Sequence, residues 1–325
     1  MIATLYAAVA RRRREWYAAH PDARRRLRRP VISIGNIASG GRGKTPFTAA
    51  VARMLLELGE RPAILSRGYA RTQAEAGVVI VRDALGIRSD VARAGDEPFM
   101  LARQLPGVIV LTSSDRYLAG RLAEHQLGAT VHILDDGFQH FQLDRDADVV
   151  LVSGSDLESA TFPTGRLREP PDVLVAADAV VALDGGVGDG AHRAVFRARR
   201  INGPVVFEGA APSLSGPTYA LAGIADPQPF FSALERAGLR LAGRAVFRDH
   251  HPYSTREADR LFADARAAGA AAVVTTEKDY VRLLRYRPFP MPVGWLPLTM
   301  EPEPVEDFKR WLESSIASTR DIVIA

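Results

Sequence analysis

The chain has 325 residues, of which 47% are hydrophobic and 25% charged, and it contains no cysteine. This balance is typical of a folded globular protein, and the length allows two domains of roughly 100–200 residues each. The absence of cysteine excludes disulfides and thiolate metal sites, and no apolar run reaches the roughly 18–20 residues that a transmembrane helix requires.

The first 30 residues form a strongly basic segment. They contain nine arginines and two acidic residues, a net charge of +7, whereas the whole chain carries +4. Apolar and aromatic side chains such as Leu5 and Trp16 accompany the arginines, which favours an amphipathic arm over residues 1–29 that binds an anionic membrane surface. The alternatives are an arm that binds nucleic acid and a solvated helix that only flanks the core. The arginines follow the apolar block, which is the reverse of the order in a secretory signal.

From residue 30 onward, short apolar stretches alternate with helical patterns. Such alternation predicts βαβ units and a mainly parallel sheet that is covered on both faces. The predicted strands cover residues 30–36, 62–68, 108–113, 130–137 and 146–154. The predicted helices between them cover residues 45–59, 97–107 and 115–128.

The alternation restarts near residue 215, after the Gly-rich loop "DGGVGDGAH". The segments 217–238, 239–247, 254–269 and 271–279 again read as strands and helices of a second, smaller α/β unit. Ser254 and Glu257 have the spacing of a helix capping box, which places a helix start at this point.

The stretch "SGGRGKTP", residues 39–46, follows the first predicted strand and opens the first predicted helix. In this context glycines allow a tight loop whose N–H groups hold phosphate oxygens, a lysine reaches the β- and γ-phosphates, and a threonine offers a hydroxyl to Mg²⁺. Ala38 stands where the usual pattern has glycine, so the loop is a variant. The alternative is a Gly-rich turn with a chance lysine. The predicted ligands of ATP are Gly40, Gly41, Gly43, Lys44 and Thr45.

The loop and the strand pattern together predict an α/β fold with two folded domains. A P-loop NTPase-like domain with a mainly parallel sheet is expected over residues 30–212. A smaller C-terminal α/β domain that closes over the cleft is expected over residues 213–325.

Two carboxylates, Asp135 and Asp136, end the strand of "HILDDGFQH". A strand that ends in aspartate beside a phosphate loop is where such proteins hold Mg²⁺. Gln139 and His140 follow on the same loop and are expected to face the same cleft. The alternative for the aspartates is a solvated strand end.

Two further loops carry candidate residues. In "RAGDEP" Asp96 precedes a helix, and the alternative to a functional role is that it only caps that helix. In "GRLREP" Arg166 and Arg168 suit a phosphate on an acceptor, and the alternative is two surface arginines.

The predicted second unit contains "FRDHHPY", in which His250 and His251 follow Asp249. Adjacent histidines beside a carboxylate indicate acid–base chemistry or a metal site. We prefer the acid–base interpretation, because the chain has no cysteine and this loop offers only three adjacent candidate metal ligands. The alternative is one packed and one solvated histidine.

The motifs occur in a characteristic order. The segments "PVISIGNIASGGRGKTPF", "ILSRGYAR", "GDEP", "DDGFQH", "GRLREP", "DHHPYS" and "TTEKD" resemble, in order and spacing, the tetraacyldisaccharide 4′-kinases, the lipid A kinases of Gram-negative bacteria. The resemblance runs from about Pro30 to Leu284 and extends to the basic arm. The combination of motifs is specific, whereas each motif alone is not. Arg42 stands where the family usually has a small polar residue.

The resemblance implies an acceptor and roles for the residues. ATP would phosphorylate the 4′-hydroxyl of a lipid disaccharide 1-phosphate, with Mg²⁺ held by Thr45, Asp135 and Asp136. Asp96 would be the general base, assisted by His250 rather than His251. The acceptor or nucleotide cleft would be lined by Tyr69, Gln139, His140, Arg168 and Glu169. The protein would be a monomer without nucleic-acid partners, lying peripherally on the cytoplasmic face of the inner membrane.

Two other classes of protein fit the sequence less well. A P-loop GTPase or metallochaperone would need a lysine two residues before an aspartate, but in "TEKD" Asp279 follows Lys278 directly. A partitioning ATPase that uses the arginines on DNA would be expected to carry a helix-turn-helix, and the sequence offers none.

Overall fold

The computed structural model describes residues 2–40, 43–69, 71–73, 76–184, 194–209 and 216–324. Two compact units are present. One contains the chain up to Arg199 and again from Met300 onward, and the other contains Arg200–Thr299. Gly41, one of the predicted ATP ligands, lies outside the described residues.

The strands are β1 (Val31–Asn36), β2 (Pro62–Ser66), β3 (Val79–Asp83), β4 (Gly86–Ile87), β5 (Ile109–Thr112), β6 (Val131–Asp135), β7 (Ala147–Val152), β8 (Ala179–Ala182), β9 (Ala194–Asn202), β10 (Val206–Phe207), β11 (Thr218–Ala222), β12 (Leu241–Val246), β13 (Ala272–Thr276), β14 (Val293–Leu296) and β15 (Leu298–Glu303). The helices are α1 (Ile2–Ala19), α2 (Lys44–Glu57), α3 (Val91–Ala94), α4 (Asp96–Gln104), α5 (Arg116–Gln126), α6 (Gly154–Leu157), α7 (Gln228–Arg236), α8 (Thr255–Ala267), α9 (Glu277–Leu283) and α10 (Val305–Ile324).

A ten-stranded sheet has the order β15-β9-β8-β7-β1-β6-β2-β5-β3-β4. The strands from β9 through β5 pair in parallel, whereas β3 pairs antiparallel with β5 and with β4. The predicted α/β fold with a mainly parallel sheet is therefore confirmed. The chain leaves β1 toward β2 on one side and reaches β7 on the other, so the carboxyl end of β1 is the switch point at which such sheets bind ligands.

Burial explains why the central strands read as continuous apolar runs. Every residue of β1 and β6 is buried, because helices cover both faces of the sheet. Helix α2 buries Phe47, Val51 and Leu55, which recur at helical spacing along one face. The first turn of α2 is thereby fixed at the end of β1.

The second unit contains a five-stranded sheet of order β10-β14-β13-β11-β12, which is parallel except for β10. The predicted capping box is present: the Ser254 hydroxyl accepts from the Glu257 N–H, and the Glu257 carboxylate accepts from the Ser254 N–H.

The unit boundaries differ from those expected from sequence. Residues from Met300 onward, expected in the C-terminal domain of 213–325, return to the first unit. The reason is aromatic packing, since the ring of Phe308 in α10 lies 5.6 Å from that of Phe47 and 5.0 Å from that of Phe196. The order of strands and helices along the sequence does not show that the C-terminal residues pack with the first unit.

The basic arm forms α1 and an extended segment, and its arginines contact acidic residues of the same unit. Arg25 binds Asp115 through two hydrogen bonds of 2.8 and 2.9 Å, and Arg26 pairs with Asp144 and Asp146. Much of the arm's charge is thus neutralised by the body. A membrane-spanning helix needs a long apolar stretch, and none of the helices in the described part of the chain has one.

Candidate functional site

The loop after β1 is built for close backbone approach. A Cβ on Gly35 would lie 2.5 Å from Cβ of Phe138, so only glycine lets β1 approach the loop after β6 at this point. Gly40 and Gly43 have φ angles of 106° and 80°, which favour glycine. Gly43 is also the N-cap of α2 and provides no side-chain cap, so the first N–H groups of α2 remain available to an anion.

Lys44, the first residue of α2, lies over the ends of two central strands. Its Nζ is 3.1 Å from Oδ1 of Asn36, at the end of β1, and 3.5 Å from Oδ1 of Asp136, just past β6. Thr45 is buried in the same first turn. A lysine at this position puts a cation where phosphate oxygens held by the loop would lie.

The two predicted metal-binding carboxylates differ in environment. Asp135 is buried, and its carboxylate receives long hydrogen bonds of 3.4 Å from the hydroxyls of Thr48 and Ser66. Burial, with the nearby charges of Glu97 and Asp136, raises the pKa of Asp135 to about 7. Lys44 and Arg116 act against this rise but do not outweigh it, so a bound cation would complete the charge compensation of Asp135.

The negative charge of Asp136 is already balanced by neighbouring cations. Its φ is 53°, and Arg168 donates to both carboxylate oxygens at 2.9 Å. Burial acts to raise its pKa, but Lys44 and Arg168 outweigh burial and hold the pKa of Asp136 below its usual range. The Thr45 hydroxyl and these two carboxylates are hard oxygen ligands that fit Mg²⁺. Within the described part of the chain, no group of three or more His, Cys, Asp or Glu side chains could hold a metal.

The pKa of Asp135 leads to a pH-dependent stability. Its folded value of about 7 exceeds its ordinary 3.8, so the folded chain keeps a proton that the unfolded chain loses between these pH values. Stability should therefore fall as pH rises from about 4 to 7. Asp135→Asn removes this proton. The unfolding temperature of the variant minus that of the wild type should therefore increase by several degrees from pH 4 to pH 7, at about 2–4 °C per kcal/mol of stability.

Asp115→Asn is the control for this measurement. Burial acts to raise the pKa of Asp115, but Arg25 and backbone N–H groups hold it below its usual value, so its substitution should give no relative gain as pH rises. A flat difference between Asp135→Asn and wild type from pH 4 to 7 would contradict the environment described for Asp135.

Gln139 and Glu169 link the end of β1 to the arm. The Gln139 amide donates to the Asn36 carbonyl at 3.0 Å and to the Glu169 carboxylate at 3.2 Å. Glu169 is buried and receives two hydrogen bonds, of 3.0 and 2.7 Å, from Arg14, whose guanidinium stacks on Phe138. The sequence prediction placed Glu169 in the cleft but missed Arg14, which looks like any other arginine of a basic run.

His140 faces a buried arginine that was also missed. Arg116, at the start of α5, donates to the Asp135 carbonyl at 3.3 Å and lies 3.2 Å from Nδ1 of His140. Burial, with Arg116 and Arg145, lowers the pKa of His140 to about 3. A guanidinium only donates, so Nδ1 accepts and Nε2 carries the proton. Nε2 is buried without a hydrogen-bond partner among the described residues. Arg116 begins α5 after the short loop that follows β5, and this position near the carboxyl edge of the sheet was the available signal.

Asp96 begins α4 directly after Gly95, and the backbone at Gly95 lies against Gly68 and Tyr69. Gly95, not Asp96, is the N-cap of α4, so the capping interpretation of Asp96 is wrong; its Oδ1 accepts from the Glu97 N–H at 2.9 Å. Gly95 has a φ of 90°, and a Cβ there would lie 2.7 Å from the Tyr69 carbonyl oxygen. Asp96 is buried, whereas Tyr69 is 67% exposed.

In the second unit, the adjacent histidines have different partners. Nε2 of His251 lies 3.0 Å from the Glu257 carboxylate, and its ring packs near Phe247 and Tyr253. His250 has a φ of 55°, and its Nε2 lies 3.0 Å from Nζ of Lys278. His251 is therefore part of the local packing, and His250 belongs to a polar cluster.

The first unit thus brings together Lys44, Asp135, Asp136, Gln139, His140, Arg168 and Glu169. Asp96 begins α4 directly after Gly95, which adjoins the Tyr69 carbonyl.

Comparisons with known proteins agree with this geometry. Residues 1–317 match the family model for tetraacyldisaccharide-1-P 4′-kinase. The chain is 41% identical over 290 residues to the tetraacyldisaccharide 4′-kinase of Geobacter metallireducens, covering 86% of each chain. It is 40% identical over 314 residues to that of Geobacter sulfurreducens, covering 92% of this chain and 88% of the other.

A crystal structure of LpxK from Aquifex aeolicus, described as an "apo" form in complex with ATP, is similar throughout. The TM-score is 0.80 at 30% sequence identity, over 97% of both chains. With the family model and the relatives, this shows that the chain belongs to the tetraacyldisaccharide 4′-kinase family.

Proposed function

We propose how the side chains described above carry out the family's reaction, transfer of a phosphoryl group from ATP to the 4′-hydroxyl of a tetraacyldisaccharide 1-phosphate in lipid A biosynthesis. The observation that carries the proposal is the position of Lys44, between Asn36 and Asp136 at the carboxyl ends of the two central strands. Gly40, Gly43 and the first N–H groups of α2 hold the β- and γ-phosphates, and Lys44 follows the charge of the transferred group.

Asp135, Asp136 and the Thr45 hydroxyl would hold Mg²⁺, which would supply charge neutralisation at the phosphates when bound. Asp135 would be the better direct ligand, because its carboxylate receives only long hydrogen bonds from hydroxyls. Asp136 is shared with Arg168 and Lys44, and it keeps both cations directed at the phosphate site.

Asp96 is the general base that accepts the proton of the 4′-hydroxyl. Its carboxylate is buried at the start of α4, where it is fixed by the Glu97 N–H and by the contact of Gly95 with Tyr69. We assign the assisting role to His250, since the ring of His251 is engaged by Glu257. A base that is oriented in this way supports proton removal as the phosphoryl group is transferred.

The acceptor is bound by Tyr69, Gln139, His140, Arg168 and Glu169. His140 supplies a neutral N–H donor, as its low pKa and its contact with Arg116 require. Gln139 and Glu169 are positioned by each other and by Arg14. The proposal is tested with γ-labelled ATP, Mg²⁺ and a tetraacyldisaccharide 1-phosphate in detergent. Transfer of label should fail in Asp135→Asn and His140→Ala, and full transfer in both variants would overturn these assignments.

Gly95→Ala, compared with a control glycine variant, should distinguish a loss of activity caused by displacement of Asp96 from one caused by general destabilisation. Alanine at a φ of 90° and 2.7 Å from the Tyr69 carbonyl forces the loops apart, and a shift of about 1 Å in a reacting group can lower the rate about a hundredfold. We expect kcat to fall at least tenfold. Gly59→Ala is the control, because Gly59 has a φ of 79° but no atom within 4 Å of the added Cβ. Equal kcat values in the two variants would contradict the proposed placement.

The acceptor is a lipid, and α1 offers a surface for its membrane. Ile2, Leu5 and Val9 are 70%, 66% and 61% exposed. We propose that α1 holds the protein, as a monomer, peripherally on the anionic cytoplasmic face of the inner membrane, with no nucleic-acid partner.

Replacing Ile2, Leu5 and Val9 together by serine should weaken sedimentation with anionic vesicles at least tenfold, since burying one such side chain contributes about 1.5–3 kcal/mol. These residues are exposed, so thermal unfolding should not change. Val246→Ser, which alters an exposed residue of β12 in the second unit, is the control. Unchanged sedimentation of the triple variant, or a preference of the wild type for duplex DNA over vesicles, would contradict the membrane assignment.

A further inference from the structure

The segment "TTEKD", residues 275–279, is not used by the assignments above, yet it is tied closely to the histidine loop. Asp279 is fully buried, and its carboxylate accepts hydrogen bonds from the Gly223 N–H at 2.8 Å and from the Thr276 hydroxyl at 2.7 Å. It also accepts from the Tyr253 hydroxyl at 2.9 Å and from Arg282 at 2.8 Å. Asp279 therefore fixes the start of α9 against the segment that carries the histidines.

Lys278 extends this connection to His250. Its Nζ lies 3.0 Å from Nε2 of His250 and 3.4 Å from Oδ1 of Asp249. The same Asp249 oxygen accepts from the His250 backbone N–H at 2.9 Å. The side chain and the backbone of His250 are thus held by neighbouring groups, consistent with its positive φ of 55°.

The direction of the Lys278 hydrogen bond determines the form of the imidazole. An ammonium group only donates, so Nε2 of His250 accepts and carries no proton. In a neutral histidine the proton then lies on Nδ1, because the bond made by one ring nitrogen sets the state of the other. The cluster therefore favours the Nδ1–H form of His250 over the Nε2–H form.

We propose that Lys278 is a positioning residue that holds His250 as the Nδ1–H tautomer for its part in proton transfer. This inference rests on the assignment of His250 above and deepens it.

The residue type supports this role. The chain has three lysines, at positions 44, 278 and 309, and arginine at its other basic positions. A lysine ammonium is a compact donor that can serve an imidazole and a carboxylate at once, whereas a guanidinium is a broad planar fork. Lys309 pairs with Glu57 on the surface, 3.1 Å away, and so provides a matched control.

The tautomer is measured by ¹⁵N NMR of the full chain with labelled histidine, with the His250 signals identified by their loss in His250→Asn. The wild type should show His250 as the Nδ1–H form. Lys278→Met should move the neutral ring toward Nε2–H, and Lys309→Met should leave it unchanged. A wild-type ring in the Nε2–H form, or one that does not change in Lys278→Met, would overturn the proposal.

Kinetic measurements distinguish the positioning role of Lys278 from the assisting role of His250. Lys278→Met should lower kcat about tenfold to a hundredfold, within the usual contribution of acid–base catalysis, with an unchanged KM for ATP. Lys278→Arg, which keeps a donor, should recover part of the loss. A large loss in His250→Ala with none in Lys278→Met would overturn the positioning role alone. No loss in His250→Ala would overturn both assignments.

Discussion

Lys44→Ala is expected to lower kcat by about three orders of magnitude or more, because charge stabilisation at the transferred phosphoryl group is the main task of a P-loop kinase. The fold should persist. Lys44 is the first residue of α2, alanine is a better helix former than lysine, and Asp136 keeps its two hydrogen bonds from Arg168. The measurement is single-turnover transfer of label from ATP to lipid, beside thermal unfolding of the ligand-free protein.

Lys309→Ala is the matched control for Lys44→Ala. It removes a lysine of the same unit that pairs with Glu57 at the surface, away from the site, and it should leave kcat unchanged. Retention of more than about a tenth of the wild-type turnover in Lys44→Ala would show that the loop after β1 does not hold the transferred phosphate.

Asp96→Ala is expected to lower kcat by about 10²–10⁴-fold, the usual contribution of a general base, with little change in ATP affinity. His250→Ala should have a smaller effect, because in the proposed mechanism Asp96 accepts the proton and His250 only assists. If the two residues act as a unit, the double variant should be little worse than Asp96→Ala alone.

The measurement is kcat for both single variants and the double variant, with His251→Ala as the control. His251 is held by Glu257 and should contribute less than His250. Multiplicative losses in the double variant would contradict a coupled pair, and a larger loss from His251→Ala would show that the other histidine is the assisting residue.

The strands and the positions of the site loops could be predicted because they follow from local patterns. An apolar run buried on both faces, such as β1, is visible in the sequence, and the rule that ligands bind at the carboxyl ends of parallel strands then places Lys44 and Asp135 together. Asp96 was correctly placed near a helix start, but the capping residue is Gly95, since the φ of 90° at that position suits glycine.

What could not be predicted depends on contacts between distant segments. Arg116 is buried against Asp135 and His140, but in the sequence it is one basic residue of an amphipathic helix. Arg14 and Arg26 belong to a run whose members look equivalent, and only the fold shows that one stacks on Phe138 while the other pairs with two aspartates. The net charge of +7 therefore overstates the charge that the arm can offer to a membrane.

The buried carboxylate of Glu169 has a thermodynamic consequence. It contacts Arg14, in the helix proposed to lie on the membrane, and Gln139, in the proposed acceptor site. If membrane contact favours the arrangement in which Arg14 binds Glu169, the free energy gained there must appear in equal amount in the affinity for the lipid acceptor, because linkage between two sites is reciprocal. The enzyme would then bind its acceptor more tightly on a bilayer than in dilute detergent, and occupancy by the acceptor would in turn prolong its residence on the bilayer.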